Sequence, residues 1–260
     1  MIYEKYPAFG GYNVFVSNDR KVACYQSRSY SSTVIPIFFW NDSQNTYVQY
    51  DVSKPSGASG WSGWYYADMN DSGTLISYAN NGKSDLIVVE VDKENKTAQA
   101  YYITTDASRN LLGYNHLVFE DYLTLSYVGY KYDRTTHTAT KLGEVSIYNE
   151  ATARDISHYH KVDDHNFYII EDGTGNINKY TLTDNSYTCI SNYIHVPTPS
   201  SGCCFSTDGN YAIARNGIWQ LDYVNRTRTQ VANYTMYDIT GSGSTTERPL
   251  GSFRQQYFIC

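Results

Sequence analysis

Apolar and polar positions alternate with a period of two through most of the chain, and Gly, Asn, Asp and Ser interrupt the alternation every few residues. In "FSTDGNYAIARNGIWQLD" (205–222) one apolar run follows Asp208-Gly209 and another follows Asn216-Gly217. Alternation around such dipeptides predicts consecutive antiparallel strands joined by tight turns. The unit recurs as "VFVSNDRKVACY" from Val14, "ADMNDSGTLISY" from Ala67, "LVFEDYLTLSY" from Leu117, "HKVDDHNFYII" from His160 and "CCFSTDGNYAIA" from Cys203. Asp19, Asp71, Asp121, Asp164 and Asp208 occupy its turn, at separations of 52, 50, 43 and 44 residues. A structural turn role is expected for all five, because Asp side chains accept nearby backbone N–H groups.

Further strand-like segments follow each turn. In the second unit "TLISYA" leads through Asn80-Asn81-Gly82 to "DLIVVEVD" and then through "KENK" to "TAQAYYI". The third unit is the least regular, ending in the polar "RTTHTAT". No segment sustains a helical period. Four short strands per unit, repeated every 40–50 residues or so, predict an all-β fold, a β-propeller of five to six four-stranded antiparallel blades in one domain. The blades are expected near 12–51, 64–103, 114–148, 156–190 and 201–235, with a partial sixth formed by 236–260 and 1–8. The N-terminal strand would close that last blade in a six-membered ring; a five-bladed ring with a trailing strand is the alternative.

"FSTDGNYAIARNGIWQLD" and "MNDSGTLISYANNGKSDLIVVEVD" resemble blades of the WD-repeat and Tol-type superfamily. Asp208, Gly209, Trp219 and Asp222 match its pattern in the fifth unit, and Asp71, Gly73 and Asp92 in the second. The resemblance implies architecture; the superfamily includes scaffolds, lectin-like binders and enzymes alike.

Composition narrows the classes. There are 28 tyrosines against 9 phenylalanines, a bias that suits pleated surfaces, and a Tyr/Ser/Thr/Asn-rich, Lys-poor surface is frequent in secreted and virion proteins. A net charge of −6 without a basic run argues against nucleic-acid binding. The longest apolar stretch, "VIPIFFW" (34–40), is too short to span a bilayer, and "MIYEKYPAFGGYNVF" (1–15) lacks the form of a secretory signal. Localisation in a virion or in the cytoplasm of the producing cell is expected. Cys24, Cys189, Cys203, Cys204 and Cys260 are odd in number and irregular in spacing, so reduced thiols are expected.

Candidate chemistry is sparse. In "HYHKVDDH", His158 and His160 share a strand face and could grip a divalent ion, although the stretch coincides with an inner strand and its turn. "EDGTGNIN" (171–178) has oxygen ligands at alternate positions but lacks the later Glu of a calcium loop, and reads as a hairpin. No GxSxG elbow or HExxH is present. Asp51, Glu90, Glu120, Asp164 and Glu171 are the carboxylates available for glycosidase-like chemistry, most of them at turns. Trp61, Trp64, Tyr65 and Tyr66 fall in the glycine-rich "SGWSGWYYADM", where a loop could present them to a glycan or a protein. No cofactor is expected. The combination is similar to propeller domains of phage tail hub and nozzle proteins, which implies a non-enzymatic structural module contacting other virion subunits or itself. A carbohydrate-binding propeller and a glycosidase-like enzyme are the alternatives.

Overall fold

The computed structural model describes residues 14–25, 33–58, 65–80, 85–105, 116–125, 127–145, 159–171, 174–197, 203–206, 208–214 and 216–233. They form five four-stranded antiparallel sheets and no α-helix, consistent with a propeller of about five blades. The first sheet holds β1 (Val14–Val16), β2 (Val22–Tyr25), β3 (Val34–Asn41) and β4 (Thr46–Ser53). The second holds β5 (Tyr65–Met69), β6 (Leu75–Asn80), β7 (Leu86–Asp92) and β8 (Thr97–Ile103). The third holds β9 (Leu117–Val118), β10 (Tyr122–Leu125), β11 (Val128–Asp133) and β12 (Thr138–Glu144). The fourth holds β13 (Tyr159–Lys161), β14 (Asn166–Ile170), β15 (Asn176–Thr183) and β16 (Ser186–His195). The fifth holds β17 (Cys204–Phe205), β18 (Tyr211–Ala214), β19 (Gly217–Asp222) and β20 (Thr227–Ala232). In every sheet the strands pair in chain order. The expected sixth blade and its N-terminal closing strand lie outside the described residues.

The chain divides into two compact units, Met1–Glu144 and Val145–Cys260. In the first unit, Leu75, Leu86 and Val88 of the second sheet pack against Val118, Leu123, Val128, Tyr130 and Tyr132 of the third. In the second unit, Tyr168, Ile170, Ile177 and Ile194 of the fourth sheet pack against Phe205, Ala212 and Leu221 of the fifth. Both faces of β7 and β10 are covered, so they read as near-continuous apolar runs, as "LIVV" (86–89) does, whereas β18 alternates between buried and half-buried residues. Four tyrosines, Tyr78, Tyr130, Tyr132 and Tyr180, are among the largest fully buried side chains. These four tyrosines serve as core residues. Cys24, Cys203 and Cys204 are buried, and the four described cysteines are free thiols. Both members of the 203–204 pair are buried.

Two turns recur at one edge of the sheets. The inner turn joins the first two strands. Ser17 Oγ accepts the Val22 N–H at 3.0 Å and donates to Asp19 Oδ1 at 2.7 Å, while Asp19 Oδ1 accepts the Lys21 N–H. Ser206, Asp208, Asn210 and Tyr211 repeat this arrangement in the fifth sheet. In the second sheet the acceptor five residues before the strand is Asn70, whose Oδ1 takes the Leu75 N–H at 2.9 Å. Asp71 instead offers its carbonyl to the Asn18 N–H of the first sheet. In the fourth sheet Asp163, not Asp164, accepts the His165 and Asn166 amides at 2.7 Å each. The third turn is tighter, closed by Phe119 N–H on the Tyr122 carbonyl, and Asp121 contributes its carbonyl to Tyr132 N–H. Counted back from the second strand, the caps hold fixed positions: Ser17, Asn70 and Ser206 stand five residues before it, and Asp19, Asp163 and Asp208 three before it.

The outer hairpin joins the last two strands. Asn41, Asp92, Asp133 and Asp222 begin it, each accepting backbone N–H groups two or three residues on. Four residues later Asn45, Lys96, His137 and Arg226 take left-handed φ values of 50°, 52°, 53° and 55°. A threonine follows in all four copies.

Candidate functional site

The left-handed hairpin residues Lys96, His137 and Arg226 each reach back to the sheet before their own. Lys96 Nζ donates to the Trp40 carbonyl at 3.1 Å, and Arg226 lies 4.6 Å from the ring centroid of Tyr193. His137 makes the chemically richest of these contacts. Its ring stacks on Tyr101 with centroids 3.6 Å apart and planes 10° from parallel, and its Nδ1 is 3.0 Å from Glu90 Oε1. The same oxygen accepts the Tyr132 hydroxyl at 2.9 Å. Glu90 ends the apolar run of β7 and Tyr132 is buried on β11, so regular strands of two sheets hold the carboxylate while a fixed hairpin holds the imidazole. Burial first, and then the Glu90 carboxylate, push the Tyr132 phenol above its ordinary value, so it remains a donor. The side chains of His137 and Glu90 are 33% and 23% exposed. With Nδ1 turned to the carboxylate, Nε2 is the nitrogen left for other chemistry.

The same hairpin carries Arg134, whose Nη2 donates to the Glu120 carbonyl and Thr74 Oγ1 at 3.1 Å each and lies 3.4 Å from Glu120 Oε2. Two of the five expected carboxylates, Glu90 and Glu120, therefore meet one hairpin, 133–138. The other three are elsewhere. Asp51 is exposed on β4 and Asp164 is exposed in the inner turn of the fourth sheet. Glu171 is 7% exposed and accepts Thr174, Asn176 and Asn178 side-chain donors at 2.8, 3.2 and 2.7 Å. That network fastens the β14–β15 hairpin and commits both oxygens of Glu171, in agreement with a structural role for "EDGTGN".

Tyr65 and Tyr66 open β5, opposite Asn80 and Ala79, rather than standing on the glycine-rich loop. Trp61, Trp64 and His158 lie outside the described residues. His160 pairs with Tyr168 on β13 and faces Phe205 and Gly209 of the fifth sheet. Among the described residues no group of three or more His, Cys, Asp or Glu side chains could hold a metal ion, and no helix is long and apolar enough to cross a membrane. His137 was concealed in the sequence because "RTTHTAT" lacks alternation. Its signal is the spacing Asp-x-x-x-His-Thr, parallel to Asp-x-x-x-Lys-Thr at 92–97 and Asp-x-x-x-Arg-Thr at 222–227.

No family model and no curated protein matches the chain in sequence. Solved structures match in fold. A Bacteroides fragilis protein provisionally named a 6-phosphogluconolactonase is 17% identical with a TM-score of 0.55, over 86% of this chain and 70% of its own. A protein from Lactobacillus plantarum is 16% identical with a TM-score of 0.53, over 92% of this chain and 72% of its own. U3-55K is 8% identical with a TM-score of 0.54, over 87% of this chain and 66% of its own. At these identities the likeness establishes the fold alone. The expectation of a phage-tail component does not hold: the neighbours are gluconolactonase-named and WD40-like propellers rather than tail proteins.

Proposed function

We propose that the chain is a hydrolytic propeller acting on a small sugar-derived lactone or ester, with His137 as general base and Glu90 as the carboxylate that orients it. The observation that carries this is the stacked, partly exposed imidazole 3.0 Å from a carboxylate that a buried phenol also holds. A base fixed in one tautomer by a carboxylate can take a proton from water through Nε2 as that water attacks an acyl carbon. The proton then returns to the departing ring oxygen, and Glu90 balances the imidazolium in between. The name of the B. fragilis neighbour supports a lactone as the first substrate class to try.

The left-handed hairpin residue has a structural task wherever it reaches back to the sheet before it. Lys96 and Arg226 make their back-contacts to a carbonyl and a ring, whereas His137 sets an imidazole on a carboxylate. Hydrolysis of glucono-δ-lactone, simple sugar lactones and nitrophenyl esters, followed by acid release or colour, tests the proposal. His137→Asn keeps a residue that adopts the left-handed turn readily, and Glu90→Gln keeps the shape of its site. Each is expected to lower kcat by roughly 10²- to 10⁴-fold. Rates no higher than the buffer blank across the panel, or wild-type rates in both variants, would overturn the proposal.

A further inference from the structure

At the two sheet junctions of the first unit, Lys93 meets Asp19 at 2.7 Å and Arg134 meets Glu120, while Lys96 rests on the Trp40 carbonyl. At the junction of the fourth and fifth sheets the cations lie against aromatic rings. There Arg226 and Lys179 lie 4.6 and 5.8 Å from the centroid of one ring, that of Tyr193, and Arg228 lies 5.7 Å from that of Trp219. Tyr193 and Trp219 pack on the core shared by the two sheets, and Arg228 stands opposite Leu221 of that same core. The three cations therefore approach one inter-sheet rim. Among the described residues none of the three forms an ion pair.

Four acidic groups of the unit bond within their own turns or hairpin, and Asp163 and Asp208 keep charges that reach Tyr168 and Tyr223 beside Tyr193. Asp163, Asp208 and Asp222 accept donors of their own turns, and Glu171 accepts three side-chain donors. Rings hold the positive charges in place without neutralising them, and like charges gathered this way repel.

We propose that this rim binds a tetrahedral oxyanion, the phosphate group of a small phosphorylated molecule. Arg226 offers the planar fork that matches two phosphate oxygens, Lys179 a point charge for a third, and Arg228 a second fork along the rim. The site belongs to the second unit alone and does not depend on the hydrolase reading of the first.

Calorimetric titration with inorganic phosphate at constant ionic strength, chloride making up the balance, tests it on the full chain. Wild type is expected to show saturable binding below about 10 mM. Arg226→Asn preserves the left-handed turn and Lys179→Gln sits on a different strand, so a fold defect in one leaves the other informative. Each should weaken binding about tenfold or more, while Arg226→Lys retains part of it. Sulfate should compete, and glucose 6-phosphate should bind where glucose does not. Absence of saturable binding in wild type, unchanged affinity in both folded variants, or heat reproduced by chloride would overturn the proposal.

Discussion

At the scale of single residues, the fold depends on a few acceptors placed where a strand begins. Asn70 is 1% exposed and its Oδ1 satisfies the Leu75 N–H, so removing it leaves a buried donor without its bond. Asn70→Ala should destabilise the protein by about 1–3 kcal/mol, and Asn70→Ser, the residue found at 17 and 206, should recover part of that. Chemical denaturation checks both, and equal stability of all three proteins would rule out the capping role. The sequence shows a recurring acidic turn, in which Asp19 and Asp208 accept backbone amides. It could not show that Asn70 and Asp163 cap the second and fourth copies, because neighbouring Asp71 and Asp164 are chemically equivalent candidates. Only the direction of a side chain toward one amide separates them.

At the scale of elements, sheet-to-sheet distance is set at the inner turns. Gly73 and Gly209 have φ of 72° and 69°, and a Cβ there would run into Ser17 and His160 of the preceding sheets. Gly209→Ala should therefore cost more than the 1–2 kcal/mol or so of a left-handed alanine. His160→Ala, by clearing the ring, should make the glycine substitution less costly. A double-mutant cycle measures this coupling, and strict additivity would refute the close approach. Strand order and turn positions were legible because a period of two and Asp/Gly punctuation mark them directly. The hairpin contacts of Lys96, His137 and Arg226 were not. Each joins residues about 33 to 56 positions apart, and nothing local in "RTTHTAT" announces a partner at Glu90 or Tyr101.

At the scale of the whole molecule, the turn aspartates act together. Partial burial alone would raise the Asp19 carboxyl, but bonds from Lys93, Ser17 and the Lys21 amide outweigh it and hold it at about 2. The Ser206 hydroxyl lowers Asp208, and turn amides lower Asp92, Asp133 and Asp222. All of them have an ordinary value of 3.8, so between that pH and the lowered values the unfolded chain binds more protons. The stabilisation they contribute is complete above about pH 5 and is lost as pH falls through the lowered values. Thermal midpoints measured from pH 6 to pH 2 should fall steeply in that window, and Asp19→Asn should flatten the acid limb. Asp19 is more than a third exposed, so its own share should not exceed about 1 kcal/mol. A midpoint that stays level down to pH 2 would show that these turns carry no net stability.

The backward reach of the hairpins also has a direction in time. Lys96, His137 and Arg226 each touch a sheet that precedes them in the chain, through Trp40, Tyr101 and Tyr193. During synthesis the target has left the ribosome before its fastener is made, so every such contact can close as soon as its hairpin emerges. At these three junctions the later sheet carries the residue that fastens it to the earlier one.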